Sequence, residues 1–180
     1  MRKSQYVDVL SRRLNVRRGR LVSLVQRASE AGLLQTNASR RPDFDVEPIE
    51  AARMLILAIV DEGLAAVGHT VEKYGQLRGR SSTLEEALSH ALQRPEILVP
   101  CKSGLELHSG DQPYAVLTTF SADGARTMVF GDMPETENVD RLVTVSGSAL
   151  FAVSHEIAGL SEANVTALIR GAKPAASAAN

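Results

Sequence analysis

A single cysteine, Cys101, stands among 180 residues, and tryptophan is missing altogether. One thiol excludes a disulfide framework and any metal site built on cysteine. Aromatic residues make up 4% of the chain, too few for the stacking platforms that hold single-stranded nucleic acid. No apolar run reaches the ~18 residues of a membrane span. The leading MRKSQYVDVL holds no apolar signal core behind its basic residues. A soluble, cytoplasmic protein without membrane contact is expected.

Chemistry-bearing motifs are equally scarce. Neither G-x-x-x-x-G-K-[ST] nor G-x-G-x-x-G occurs, so no phosphate-cradling loop is expected. Gly63, Gly68, Gly75 and Gly79 follow no strand and make no nucleotide fingerprint. His69, His90, His108 and His155 are scattered without metal-ligand spacing. Cys101 follows Pro100 and reads as a small apolar filler. The acid groups Asp61-Glu62, Glu85-Glu86 and Asp132 with Glu135 and Glu137 fall at helix ends and turns, where carboxylates are normally solvated. A non-enzymatic protein without catalytic residues, metal or cofactor is expected.

What the chain does have is apolar content and a lopsided charge. It is 44% hydrophobic, and a chain of about 150 residues hides roughly 70% of its unfolded surface on folding. The net charge of −1 conceals a basic head on an acidic body. Residues 1–41 carry ten bases, from Arg2 to Arg41, against Asp8 and Glu30 alone, a net +8; the remainder stands at −9. Such a head favours a polyanion, and such a body avoids one.

Helical periodicity dominates the first half. Tyr6, Val7, Leu10 and Leu14 predict a helix over 4–14. After Asn15-Val16, Leu21, Val25 and Ala28 line a second helix over 17–31, with Gly32 suited to its C-terminal turn. Residues 35–46 read as a polar linker around Pro42. Pro48 opens a third helix whose stretch 54–60 is apolar nearly all round, either a core helix or an oligomer seam. Leu64, Val67, Val71, Tyr74 and Leu77 predict a further helical stretch, and Thr83-x-x-Glu86 a capping box for a helix over 84–94.

Past Pro95 the pattern turns to strands at 97–99, 105–107, 114–120, 126–130 and 142–145, with Asp123-Gly124 as a hairpin signal. Helices resume over about 148–157 and from Ser161 to Gly171. The expected architecture is therefore α+β. It comprises a helix–turn–helix module (1–41), a helical oligomerisation segment (47–94), a small antiparallel β-sheet with helices (95–170) and a disordered tail (171–180).

The segment 9–34, VLSRRLNVRRGRLVSLVQRASEAGLL, holds the parts of a helix–turn–helix: a short helix, a tight turn and a second helix with one face free for the major groove. In this reading Arg20, Ser23 and Arg27, with Gln26 beside them, oppose the apolar face and reach base edges. Arg12, Arg13, Arg17, Arg18, Arg40 and Arg41 contact phosphates, with Arg17 and Arg18 at a helix N-terminus that already favours anions. The string resembles the helix–turn–helix of bacterial winged-helix regulators through Leu10, Leu14, Val16, Val22, Ser23, Leu24, Val25 and the closing Glu30-Ala31-Gly32-Leu33-Leu34. The resemblance covers about 25 residues and implies duplex-DNA recognition. Those families add a β-hairpin wing, whereas QTNASRRPDFDV is too short and too polar to show two strands.

The order of elements is also similar to that of phage small terminase subunits, which implies a ring-forming role in genome packaging; no motif accompanies that likeness. The expected function is a homo-oligomeric, double-stranded-DNA-binding transcription regulator. A packaging subunit and a protein-interaction adaptor without DNA affinity are the alternatives.

Overall fold

The computed structural model describes residues 1–35, 45–134 and 141–171. Its α+β architecture contains helices α1 (Lys3–Leu14), α2 (Arg18–Glu30), α3 (Pro48–Val60), α4 (Val67–Thr70), α5 (Leu84–Gln93), α6 (Gly147–Ile157) and α7 (Glu162–Ile169). Strands β1 (Gly104–Ser109), β2 (Tyr114–Ser121), β3 (Gly124–Phe130) and β4 (Arg141–Ser146) form one antiparallel sheet in the order β3-β2-β1-β4. Arg40 and Arg41, Glu135 and Glu137, and nearly all of the tail lie outside the described residues.

Pro48 occupies the first turn of α3, where its missing N–H costs nothing, and the Glu50 carboxylate accepts the backbone N–H of Glu47 at 3.2 Å. Every residue from Met54 to Val60 is buried. The apolar stripe is thus a core helix, and the oligomer seam it offered from sequence is filled by α1, α2, α5 and the sheet. The Tyr6 hydroxyl donates to the Ala51 carbonyl at 3.0 Å, tying α1 to this central helix.

The expected single helix over 64–77 is instead a 3-10 turn (Leu64–Ala66), one α-helical turn (α4) and a π-helical turn (Val71–Gly75). Glu62 organises it, accepting from Tyr74 Oη at 3.1 Å and Thr70 Oγ1 at 3.3 Å, with Lys73 Nζ at 3.6 Å. Burial and this carboxylate together push the Tyr74 hydroxyl up to about 12. The Thr83–Glu86 box caps α5 as its spacing predicts, with Thr83 N donating to Glu86 at 2.8 Å.

Residues 97–99 form no strand. A 3-10 turn (Pro95–Ile97) stands there, because Pro95 fixes a turn-forming φ directly after α5. Ala122-Asp123 make the two-residue link between β2 and β3, and Gly124 supplies a φ of 111° just after it. Gly147 opens α6 against the 99–103 turn, where a Cβ would sit 2.3 Å from the Ser103 carbonyl oxygen. Cys101 is exposed in that turn at φ 64°, its Sγ 3.8 Å from Ser148 Oγ, and is no core filler.

One continuous core joins α1, α2, α3, α5, α6 and the sheet, crossing the boundaries near 41–47 and 94–95 that composition suggested. Ser154 Oγ donates to the Leu92 carbonyl at 2.8 Å, fastening α6 to α5 within it. Among the described residues no helix is long and apolar enough to cross a membrane.

Candidate nucleic-acid interface

The α1–α2 corner is set by two short links. Asn15 takes φ 55°, a left-handed conformation that asparagine tolerates better than most residues. Ser11 Oγ then donates to the Val16 carbonyl at 2.7 Å, while Val16 N donates to the Ser11 carbonyl at 3.1 Å. Beyond the corner α2 buries Leu21, Leu24 and Ala28. Val25, expected on that inner face, is only half-buried. The opposite flank, including Arg18, Val22, Gln26 and Arg27, is exposed. No side chain caps the N-terminus of α2; the Arg20 amide donates to the Arg17 carbonyl at 2.9 Å, and the Arg18 and Gly19 amides have no partner among the described residues.

The arginines divide into two groups. Arg12, Arg13 and Arg20 are bound by acids from distant elements. Arg12 Nη2 donates to Glu156 Oε2 at 2.5 Å, and its Nε lies 3.0 Å from Glu162. Arg13 Nε donates to Glu156 Oε1 at 2.7 Å; its Nη2 lies 2.5 Å from the same oxygen but without hydrogen-bond alignment. Arg20 holds Asp61 through Nε at 2.8 Å and Nη2 at 2.5 Å. That hydrogen-bonded pair lowers the Asp61 carboxyl below its usual range, against a smaller opposing effect of burial, and raises the Arg20 guanidinium.

Arg20 is therefore not on one open face with Ser23 and Arg27, as the helical spacing had placed it. It turns sideways to the C-terminal end of α3, because Asp61 in its left-handed cap presents a carboxylate there.

The second group stays at the surface. Arg17 has no ion-pair partner among the described residues. Arg18 pairs with Asp8 at 2.5 Å and Arg27 with Glu30 at 2.9 Å, all four side chains being roughly half-exposed. Gln26 Nε2 donates to Glu30 at 2.9 Å, and Ser23 Oγ turns back to the Gly19 carbonyl at 3.1 Å. Exposed pairs of this kind contribute about 0–1 kcal/mol, so these side chains exchange partners at little cost. The three arginines bound to distant acids are positioned to hold α1 and α2 on the body.

Sequence reasoning missed the acids that do this. Glu156 and Glu50 are buried at 4% and 3% exposure. Glu85, expected in solvent, is buried too; Arg53 Nε donates to it at 2.9 Å and Gln76 Nε2 at 2.7 Å. Asp61 and Glu62 are likewise engaged. The one available signal was the acidic excess of the body facing the basic head. No group of three metal-binding side chains occurs among the described residues.

Compared with known proteins, the chain matches no family model, no curated protein and no solved structure at a significant level.

Proposed function

We propose that the chain binds double-stranded DNA, with α2 entering the major groove, as a site-specific transcription regulator. The observation that carries this reading is the exposed outer flank of α2, with no side-chain cap at its N-terminus and, at its head, Arg17, which has no ion-pair partner among the described residues. Arg17 and Arg18 contact phosphates at that N-terminus, where open amides add their own attraction. Ser23, Gln26 and Arg27 face base edges once their surface partners are released. Arg12, Arg13 and Arg20 orient the module through Glu156 and Asp61. Arg40 and Arg41 remain in the proposal as phosphate contacts outside the described residues.

A homo-oligomer is part of the same proposal, since two linked heads raise the effective concentration of the second by mass action. Because α3 is filled within each chain, the pairing uses another surface.

The test is fluorescence anisotropy of labelled duplex DNA at rising salt, with mass in solution measured alongside. Binding is expected to fall by orders of magnitude between about 50 and 200 mM salt. Arg17→Ala with Arg18→Ala weakens all duplexes alike, whereas Gln26→Ala with Arg27→Ala lowers discrimination between sequences. Parent-like binding by a variant carrying all four changes overturns the proposal, as does a parent that ignores DNA; the latter is the adaptor's behaviour.

A further inference from the structure

The core-facing row of the sheet changes character at one end. On β2 and β3 it runs Ala115, Leu117, Thr119 against Phe130, Met128, Arg126, each pair in direct register. Four apolar residues are thus followed by a threonine opposite an arginine, where continued burial would call for two more aliphatic side chains. Cross-strand neighbours of this kind lie about 5 Å apart at Cβ, so the two polar groups act on one spot.

That spot is a wall of a cavity of about 390 Å³ between α5 and the sheet, which also reaches Ser81, Ser82 and His90. A groove of about 650 Å³ adjoins it along Arg80 and β3. Thr119 is only 4% exposed and lines the cavity; its hydroxyl has no hydrogen-bond partner among the described residues, but it is not sealed from water.

The charges around it are unequal. Arg126 and Arg80 have no carboxylate partner among the described residues. Arg94 is taken by Glu96 at 2.8 Å. Glu86, the carboxylate lining the cavity, is occupied by the Thr83 backbone N–H, which holds its carboxyl below the usual range. Ala87, Ala91 and Ile97 give the cavity an apolar floor. The loop bearing Arg80 is held in place by Gly79, where a Cβ would lie 2.8 Å from the Phe130 ring.

We propose that this cleft binds a small organic anion, an apolar body bearing one phosphate, sulfonate or carboxylate group, with Arg126 and Thr119 receiving the anionic group. The aliphatic floor takes the body of the ligand, and Arg80 screens its charge from the groove side. This site stands apart from the α2 flank and does not depend on DNA binding.

The probe is 8-anilinonaphthalene-1-sulfonate, titrated by fluorescence into the full chain, with uncharged N-phenyl-1-naphthylamine as comparison. Saturable binding of the sulfonate is expected, weakened about tenfold in Arg126→Ala, the scale of one charge-assisted hydrogen bond. Thr119→Val weakens it severalfold, Arg170→Ala leaves it unchanged, and inorganic phosphate displaces it. Circular dichroism verifies folding; Arg126 is exposed on β3, so its variant keeps the test decisive if Thr119→Val fails to fold. Absent saturation, equal affinity for the neutral probe, or an unchanged Arg126→Ala each overturns the proposal.

Discussion

Two guanidinium groups converge on Glu156, a carboxylate with 4% exposure on α6. Its desolvation is tolerable because both oxygens accept charge-assisted bonds, and Arg12 and Arg13 thereby gain a fixed direction. Glu156→Gln keeps the shape and removes the charge. The expected loss is about 2 kcal/mol, since hydrogen bonds to charged groups contribute about 1.5–3, read as a lower urea midpoint without a change in slope. None of this was legible from the residues around position 156. The string SHEIAGL shows a carboxylate near a helix end, and only the fold reveals that α1 runs beside it. Arg12 and Arg13 looked like phosphate contacts for the same reason: a sequence displays a charge without its partner.

At the scale of elements, the hydrophobic period located most helices well, because burial selects the apolar face whatever lies beyond it. It could not distinguish the π-helical turn at Val71–Gly75 from an ordinary one. The apolar spacing of 64–77 fits a helix, and the departure follows from Thr70, Lys73 and Tyr74 gathering on Glu62. The α2–α3 junction gives a measurable consequence. Asp61 is held below its ordinary value of about 3.9 by Arg20. A depressed carboxylate contributes stability that is complete above the unfolded value and lost as pH falls through the folded one. Arg20→Ala is therefore expected to lower the urea midpoint at neutral pH. The gap to the parent closes as pH drops below about 3.9. A gap of constant size across that range would show that the pair does not stabilise the junction.

The whole molecule resolves the charge asymmetry in its own way. Much of the basic head faces inward to acids of the body: Lys3 to Glu50, Arg12 and Arg13 to Glu156, Arg20 to Asp61. A +8 segment beside a −9 remainder is thus in part a description of how one half docks on the other. Tyr6, fully buried, donates its hydroxyl to Ala51 of that remainder, and α1 packs on α3 and α6 as well as on α2. A peptide of residues 1–41 is accordingly expected to show no cooperative thermal transition by circular dichroism, while the full chain shows one. A peptide that melts cooperatively would mean that the head has a core of its own. The α+β class was readable from the change of period near Pro95, but the single shared core was not, because composition marks where polar residues gather and says nothing of which apolar faces meet.

The helix beneath α2, α3, also packs against β4 of the sheet. A helix rooted in this way shares its footing with the sheet, so under the proposed DNA binding a duplex seated against it would have to supply whatever bending or twisting the fit requires. Sequences that deform easily would then be favoured at positions no side chain reaches.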